Sequence, residues 1–268
     1  MELVQKRVQS PSSIKTYKQC PRKYYYQYIE KLETLPNIHL VRGKVTHEVL
    51  EHFFETDFSS VDKLNIDQTF KTIVQNLLVQ SWQKAKSDFD ALSLSNAQKI
   101  FYFEETMKML LSWAEDFTKK VKHHGTDLQT ALKELTPIRE VQYTSERLAV
   151  KGIIDTIENY KGEIRLMDYK TSSSFDIEDH RLQLAIYSLL YSEKHSRLPD
   201  KVGIYYLKSG EKFIDADETL LKLAESEIKF IHEKTQTREK IDYPKNITPL
   251  CKWSTGKCDF YDVCFSGD

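Results

Sequence analysis

The spacing of apolar residues changes at Pro137, and this change restricts the chain to folds that combine helices with strands. From residue 56 to residue 135 apolar side chains recur every three or four positions, as in helices that bury one face. The segments predicted after Pro137 are strands at 138–143, 148–157 and 164–171, a helix at 178–195, a strand at 202–207 and a helix at 218–234. We therefore predict an α/β fold in which residues 56–135 form a helical insertion.

Chain length allows one domain or two, the composition is that of a soluble globular protein, and we predict a single domain over residues 1–268. A chain of this length can bury roughly 75% of its unfolded surface. Its apolar runs fall short of the roughly 18 residues that a membrane span needs. The first seven residues, MELVQKR, lack the apolar stretch of a secretory signal. We expect a cytoplasmic protein without a membrane partner.

Basic and aromatic residues are interleaved between Lys6 and Lys31, where seven lysines and arginines accompany one acid, Glu30. Five tyrosines lie among them: Tyr17, Tyr24, Tyr25, Tyr26 and Tyr28. Cationic groups neutralise phosphates and aromatic rings stack on bases, so the segment suits a nucleic-acid strand. The alternative is an amphipathic helix whose tyrosines face the core while its lysines reach solvent. Both interpretations stay open at this point.

Two neighbouring predicted strands each carry a carboxylate in an apolar setting. The strand around Asp155 is largely apolar on both faces, which is typical of a central, covered strand. A buried carboxylate needs a cation, hydrogen bonds or a proton. On the next strand Asp168 and Lys170 are two residues apart and project from the same face. Together these groups can bind Mg²⁺ or Mn²⁺ and position a water, whereas an internal Asp–Lys ion pair is the simpler alternative.

Three further polar residues are candidates for the same site. Gln183 and Tyr187 lie one turn apart on a predicted helix, so they can jointly orient a phosphate, a water or Lys170. His47 follows Gly43 by four residues near the start of another predicted helix and offers a nitrogen ligand to the same metal. Taken singly, these residues are equally compatible with an ordinary helix surface.

The four cysteines predict a metal centre that joins the two ends of the chain. Three lie in the C-terminal segment 249–268 with the spacing C-x6-C-x5-C, and one lies near the N-terminus: Cys20, Cys251, Cys258 and Cys264. Four thiols suit tetrahedral zinc or an iron–sulfur cluster, and their spacing does not separate the two. Disulfides are the weaker interpretation without a secretion signal. Isolated core cysteines would lie on apolar stripes rather than among these polar and turn residues.

Six motifs follow one another along the chain: Ser12-Ser13-Ile14-x-x-Tyr17-x-x-Cys20-Pro21-x-x-Tyr24, Gly43-x-x-x-His47, Gly152-x-x-Asp155, Asp168-x-Lys170, Gln183-x-x-x-Tyr187 and the three terminal cysteines. Their order resembles the RecB-like branch of the PD-(D/E)XK nuclease superfamily. Within it, the chain is most similar to members with an iron–sulfur cluster, namely the CRISPR-associated RecB-like exonucleases, the AddB-type nuclease domain and exonuclease V. The resemblance extends from about residue 10 to residue 264, and the helical insertion carries no motif.

The resemblance implies a restriction-endonuclease-like core, with a mixed central sheet flanked by helices, and a role for each motif residue. The ligands of Mg²⁺ or Mn²⁺ would be His47, Asp155, Asp168 and the backbone carbonyl of Tyr169. Lys170 would be the catalytic lysine, supported by Gln183 and Tyr187. A 4Fe-4S cluster, with zinc as the alternative, would be held by Cys20, Cys251, Cys258 and Cys264. Many relatives have Glu at the position of Asp168, and most have two residues where this chain has six between its first two terminal cysteines.

The implied function is metal-dependent hydrolysis of phosphodiester bonds in DNA, as an exonuclease on single-stranded DNA or DNA ends. DNA is then the main partner, together with proteins of repair, recombination or CRISPR adaptation. Two other functions stay open. The first is a non-catalytic DNA-binding or assembly module that keeps the nuclease fold, and the second is a zinc-held α/β interaction protein.

Overall fold

A five-stranded mixed sheet forms the centre of the computed structural model, which describes residues 7–172, 176–254 and 256–266. Strand order across the sheet follows chain order, and β3 and β4 are parallel whereas the other pairs are antiparallel. The strands are β1 (Ile138–Ser145), β2 (Val150–Tyr160), β3 (Glu163–Lys170), β4 (Lys201–Tyr206) and β5 (Gly210–Asp215). The predicted α/β class, with a mixed central sheet, is confirmed.

Strand β5 is absent from the sequence prediction because its pattern is weak. Its six residues include two adjacent large apolar side chains, Phe213 and Ile214, so no alternation marks a buried face. The strand pairs along its whole length with β4, from Tyr206↔Gly210 to Lys201↔Asp215. Backbone hydrogen bonds supply this pairing whatever the side chains are, and an edge strand therefore needs little sequence signal.

Helices cover both faces of the sheet. In chain order they are α1 (Pro11–Gln19), α2 (Pro21–Tyr24), α3 (Ile38–Phe53), α4 (Ile66–Lys84), α5 (Lys86–Asp90), α6 (Asn96–Lys122), α7 (Leu128–Leu135), α8 (Arg181–His195), α9 (Glu218–Lys234) and α10 (Tyr261–Phe265). A π-helical turn occupies Tyr25–Ile29, and 3-10 turns occupy Ile177–His180 and Lys240–Asp242. The two-residue strands β6 (Lys252–Trp253) and β7 (Gly256–Lys257) form a small hairpin near the C-terminus.

Two apolar clusters fill the spaces on either side of the sheet. Alternate residues of β4 show this division: Val202 and Ile204 join one cluster, whereas Tyr205 and Leu207 just beyond the strand join the other. The first cluster contains residues of α1, α8 and α9, and the second contains residues of α3, α4, α6 and α7. A strand covered on both faces must be apolar on both faces, as the sequence around Asp155 predicts.

The N-terminal helix begins earlier than the sequence predicts. The segment Ser10-Pro11-Ser12-Ser13 predicts a helix start with Ser12 or Ser13 as the N-cap, but Ser10 is the N-cap and accepts a hydrogen bond from the Ser13 backbone N–H at 3.1 Å. Pro11 follows at the first helical position, where its fixed φ angle suits the helix and its missing N–H is not needed. The dipeptide Cys20-Pro21 predicts a break in this helix, and Cys20 is indeed extended between α1 and α2.

The tyrosines after Cys20 belong to the core. Tyr24 and Tyr26 are fully buried, and Tyr25 is nearly so. The Tyr24 ring stacks on Tyr243 from the C-terminal part of the chain, with ring centroids 6.1 Å apart. The alternative interpretation, in which these tyrosines face the core, is therefore correct for the three residues. Base stacking by these rings is excluded because other side chains cover them.

The region predicted as a helical insertion contains α4 to α7, and they pack with α3 into the second apolar cluster. The sequence pattern predicts a helix from Gly43 to about residue 55, but α3 spans residues 38–53, because Asn37 caps it by accepting a hydrogen bond from the Leu40 backbone N–H. That residues 56–135 are an insertion within a single nuclease domain stays a prediction. Among the described residues, no helix has both the length and the apolar character that crossing a membrane requires.

Candidate active site

Three carboxylates lie in one row across strands β1, β2 and β3. The pairs Arg139↔Thr156 and Val141↔Ile154 flank Glu140 of β1 and place it opposite Asp155 of β2. The pairing of β2 with β3 begins at Thr156↔Met167, and the next position in the same register places Asp155 opposite Asp168. Like charges at directly opposed strand positions repel each other and destabilise the sheet. Such a row is expected where a cation or a proton compensates it.

Asp155 is buried at the point where the ladder between β2 and β3 ends. Its Oδ2 atom accepts a hydrogen bond of 2.7 Å from the backbone N–H of Tyr169, so the side chain takes the place of a strand–strand backbone contact. The same oxygen lies 3.3 Å from Nδ1 of His47. The carboxylate therefore has a fixed orientation beside the end of β3.

Asp168 connects the sheet to helix α8. Its Oδ1 atom accepts hydrogen bonds from Gln183 Nε2 at 2.6 Å and from the Tyr187 hydroxyl at 3.3 Å. Its Oδ2 atom lies 2.5 Å from Lys170 Nζ in an ion pair, but it accepts no hydrogen bond of ordinary geometry. Four residues that the sequence predicts for the site are thus brought together, and the one-turn spacing of Gln183 and Tyr187 serves Asp168.

His47 reaches the same place from helix α3. The helix buries Val45 and Val49 in the second apolar cluster, which directs His47 toward the ends of β2 and β3. Its Nε2 atom lies 3.2 Å from the Tyr169 carbonyl oxygen, and its Nδ1 atom faces Asp155. The predicted proximity of these three residues is observed, while their function as metal ligands stays a prediction.

Glu140 is a site residue that the sequence prediction missed. Ligand atoms of His47, Glu140 and Asp155 lie within 4.8 Å of one another, and among the described residues they form the one group of this kind. The backbone φ of Glu140 is +48°, a left-handed conformation that is uncommon for a residue other than glycine and that costs free energy. Nothing in the local sequence distinguishes Glu140 from a solvent-facing residue, because its position depends on the register of β1 with β2.

The titratable groups of the site shift one another's pKa values. Burial, followed by the charge of Asp168, raises the pKa of Asp155 to about 7. Burial alone would lower the pKa of His47, but the Glu140 carboxylate, 3.8 Å from Nδ1, and the charge of Asp155 raise it to about 9. Burial would also lower the pKa of Lys170, yet the charge of Asp168 raises it, so this side chain is an ammonium at neutral pH. Shifts of this kind are typical of functional sites rich in negative charge.

These side chains fit a divalent metal ion such as Mg²⁺ or Mn²⁺. Hard cations prefer carboxylate and carbonyl oxygens, which Glu140, Asp155 and the Tyr169 carbonyl group offer. His47 adds a ring nitrogen, and the buried Oδ2 atom of Asp168 is a further oxygen without an ordinary hydrogen bond. The donor set therefore suits the predicted metal, with Glu140 as an addition to it.

A groove of about 1600 Å³, including its open mouth, leads to these residues. Helices α1 and α8 form its walls together with strand β2. Its lining includes Lys15 and Lys151 as well as Asp155, Lys170 and Gln183. An extended polymer can enter such a groove from solvent and reach the carboxylates and the lysine.

The four cysteines line a second pocket, at the opposite end of α1 from the Ser10 cap. The extended residue Cys20 contributes Sγ to a hydrogen bond from the Asn246 backbone N–H at 3.5 Å, and the Cys258 backbone N–H donates to the Cys251 carbonyl at 2.9 Å. The sequence prediction that the ends of the chain meet at these residues agrees with this placement. Their function as metal or cluster ligands stays a prediction.

A mixed sheet that presents carboxylates and a lysine at the floor of an open groove defines a nuclease of the restriction-endonuclease-like class. Comparison with known families agrees with this assignment. The model of the PD-(D/E)XK nuclease superfamily matches residues 9–265. The chain belongs to this superfamily, as its motifs predicted.

Individual relatives are distant in sequence. The chain is 24% identical to one of the subunits of the ATP-dependent helicase/deoxyribonuclease of Carboxydothermus hydrogenoformans over 248 residues, which cover 84% of this chain and only 22% of that protein. It is 23% identical to the Gene 69 protein of Mycobacterium phage L5 over 97% of this chain and 95% of the phage protein. A solved candidate exonuclease from Eubacterium rectale shares the fold, with a TM-score of 0.51 and 14% identity over 98% of this chain and 94% of that one.

Proposed function

We propose that this protein is a DNA nuclease that hydrolyses phosphodiester bonds with Mg²⁺ or Mn²⁺, acting as an exonuclease on single-stranded DNA or DNA ends. The observation that carries the proposal is the row of Glu140, Asp155 and Asp168 across the sheet, in which Glu140 and Asp155 line the groove together with Lys170, the ion-pair partner of Asp168. The resemblance to RecB-like exonucleases supports the action on ends. It also supports a place in repair, recombination or CRISPR adaptation, in the cytoplasm.

The residues of the site would have two roles, which are binding of the metal and orientation of the reacting groups. His47, Glu140, Asp155, Asp168 and the Tyr169 carbonyl group would hold the metal. A bound divalent ion lowers the pKa of a water molecule and neutralises charge on the phosphate. These five groups come from three neighbouring strands and one helix, so the tertiary structure fixes their relative positions before the substrate arrives.

Lys170 would act directly on the reacting groups. Its ammonium is held by Asp168 and lines the groove, where it can donate hydrogen bonds to the attacking water and to a phosphate oxygen. Gln183 and Tyr187 would be positioning residues, since they hold the other oxygen of Asp168 and contact Lys170 only through it.

We also propose that Cys20, Cys251, Cys258 and Cys264 hold a 4Fe-4S cluster with a structural role, zinc being the alternative. All four line one pocket, which supports a shared centre.

The proposed activity is tested with end-labelled linear and circular single-stranded DNA in Mg²⁺ and in Mn²⁺. We expect cleavage of the linear substrate by the wild type and none by Asp155→Asn or Lys170→Ala. The Asn side chain keeps an oxygen for the Tyr169 backbone N–H, so Asp155→Asn is expected to stay folded. Circular DNA is expected to resist, because an exonuclease needs an end.

Lys222→Ala is the matched control for Lys170→Ala, because Lys222 is an exposed lysine on α9. It is expected to cleave as the wild type does. Undiminished cleavage by both Asp155→Asn and Lys170→Ala would refute the assignment of the site. DNA binding by the wild type without cleavage in either metal would instead favour the non-catalytic binding module.

A further inference from the structure

Basic groups that the proposed chemistry does not use lie on the groove wall between α1 and α8. Lys15 of α1 and His180, the last residue of the 3-10 turn before α8, line the groove together with Lys170. His180 is only 9% exposed, and its ring nitrogens have no hydrogen-bond partner among the described residues. In the part of the chain that the structure describes, its one ring contact is with Tyr206, at 6.0 Å between ring centroids.

The ring is largely covered, but its nitrogens are not among the fully enclosed polar atoms without a partner in the described part of the chain, so they are open to the groove. Burial, followed by the positive charges of Lys170 and Lys15, lowers the pKa of His180, although two nearby carboxylates act in the opposite direction. The ring is therefore neutral at pH 7 and has one N–H donor. A neutral donor that lines a groove beside two ammonium groups is well placed to receive an anion.

The ammonium group of Lys15 likewise lacks an ion-pair partner among the described residues. No carboxylate of the described residues lies within ion-pair distance of its ammonium, whereas Lys18, one turn later on the same helix, pairs with Glu227 at 2.7 Å. Lys15 is exposed on the groove side of α1 and Lys18 is neutralised by α9. An unpaired ammonium beside an unpaired N–H donor can bind one phosphate group through charge and hydrogen bonding together.

We propose that Lys15 and His180 form a binding site for a phosphate of the DNA strand, next to the phosphate that is cleaved. The inference rests on the proposed nuclease function and adds the direction from which the strand arrives. The strand then lies along the wall formed by α1 and α8 rather than over α3. Its backbone would pass Lys15 and His180 before it reaches Lys170 and the carboxylates.

The test measures binding of a fluorescein-labelled single-stranded oligonucleotide in EDTA, where cleavage does not proceed, at several salt concentrations. Loss of one phosphate contact from a single strand lowers the slope of log K against log salt by about 0.7. We expect this change for Lys15→Gln, together with affinity lower by about fivefold to tenfold. His180→Leu is expected to lose affinity to a similar degree without a change of slope, because the neutral ring releases no counterion.

Two further variants probe the shared phosphate. His180→Gln supplies an amide N–H donor of similar reach and is expected to restore most of the lost affinity. In the double variant Lys15→Gln/His180→Leu the losses are expected to be less than multiplicative, since both groups bind the same phosphate. In cleavage assays Lys15→Gln is expected to raise KM and leave kcat nearly unchanged, as for uniform binding.

Lys133→Gln is the matched control, because Lys133 is an exposed lysine of α7, which packs on the other face of the sheet. Wild-type affinity and slope for Lys15→Gln and His180→Leu would overturn the phosphate site and leave the nuclease proposal standing. Equal weakness of His180→Gln and His180→Leu would also overturn it, since the N–H donor would then have no role. A wild type that neither binds nor cleaves DNA would instead contradict the proposed function itself.

Discussion

At the scale of single residues, Glu140 illustrates how position across a sheet gives a side chain its role. In the sequence it lies on an edge strand between Arg139 and Val141, where an exposed acid is ordinary. In the structure it stands opposite Asp155 and contributes to the same group of ligand atoms as His47. Its left-handed backbone is a local cost that the surrounding sheet imposes.

We predict that Glu140→Gln weakens metal binding and leaves the fold intact. Removing one of the opposed carboxylates reduces the negative charge available to a divalent ion, and it also relieves repulsion within the row. The metal concentration for half-maximal cleavage is expected to rise about tenfold, as for loss of a residue that supports a metal site. Glu146→Gln, in the exposed turn between β1 and β2, is the matched control. An unchanged metal requirement in Glu140→Gln would exclude Glu140 from the metal site.

Tyr187 provides a second prediction at this scale. Tyr187→Phe removes the hydroxyl that donates to Asp168 at 3.3 Å and keeps the ring in the core. The same hydroxyl also accepts a hydrogen bond of 2.8 Å from Gln183 Nε2. We expect kcat to fall about tenfold and stability to fall by about 1–2 kcal/mol, since each hydrogen bond is worth about 1 kcal/mol net. Rapid-quench cleavage assays and urea denaturation measure the two quantities.

Tyr191→Phe is the control for Tyr187→Phe, because Tyr191 lies one turn later on α8 and stacks on His195 rather than facing Asp168. It is expected to keep the wild-type kcat. Equal kcat values for the two variants would show that the Tyr187 hydroxyl does not orient Asp168.

At the scale of elements, glycines set how closely the layers approach each other. A Cβ atom at Gly152 would lie 3.1 Å from the side chains of Tyr187 and Leu190, so β2 and α8 are in near contact there. This close packing places Tyr187 and Gln183 over the sheet at the height of Asp168. The motif Gly152-x-x-Asp155 therefore combines a glycine that close packing requires with a carboxylate of the candidate site.

We predict opposite effects on stability for two Gly→Ala substitutions. At Gly203 of β4 a Cβ atom would overlap the Lys212 carbonyl oxygen and the Phe213 ring of β5, so Gly203→Ala is expected to lower the free energy of unfolding by about 1–3 kcal/mol. At Gly43, within α3, a Cβ atom would meet nothing within 4 Å. Gly43→Ala is expected to raise the free energy of unfolding by up to about 1 kcal/mol, because alanine is the better helix former. Urea denaturation measures both, and a stabilised Gly203→Ala would contradict the tight pairing of β4 with β5.

At the scale of the whole molecule, the two ends of the chain form one unit beside the groove. Arg22 Nε donates to the Tyr243 carbonyl at 2.7 Å, and Asn246 Nδ2 donates to the Gln19 carbonyl at 2.8 Å. The cysteine pocket lies at this junction. Because α1 forms one wall of the groove, contacts at its C-terminal end help to hold that wall in place.

We predict that Cys258→Ser yields a colourless, poorly soluble protein whose C-terminal segment is cut early in limited proteolysis. Loss of one ligand would release a centre that ties distant parts of the chain, and metal binding of this kind contributes directly to folding. Visible absorption, with iron, sulfide and zinc analysis of anaerobically purified protein, identifies the centre. Ser266→Ala, which changes a hydroxyl in the same segment, is the control. A stable, fully active Cys258→Ser protein would show that the cluster is dispensable or wrongly assigned.

The local sequence determined much of the fold and identified most of the residues of the candidate site. Apolar spacing identified the helices and the four strands that carry clear patterns, because side-chain burial repeats with the period of each element. Two-residue and four-residue spacings placed Lys170 with Asp168 and Tyr187 with Gln183, since those spacings put side chains on one face. These relations act within a single element and need no knowledge of what packs against it.

Only the tertiary structure decided relations between elements. The register between strands placed Glu140 opposite Asp155, and packing of α1 against α8 brought Lys15 near His180. Packing against Tyr243 and Phe260 turned the tyrosines after Cys20 into core residues. Strand register and helix packing depend on contacts between residues far apart in the chain, and no short stretch of sequence contains that information.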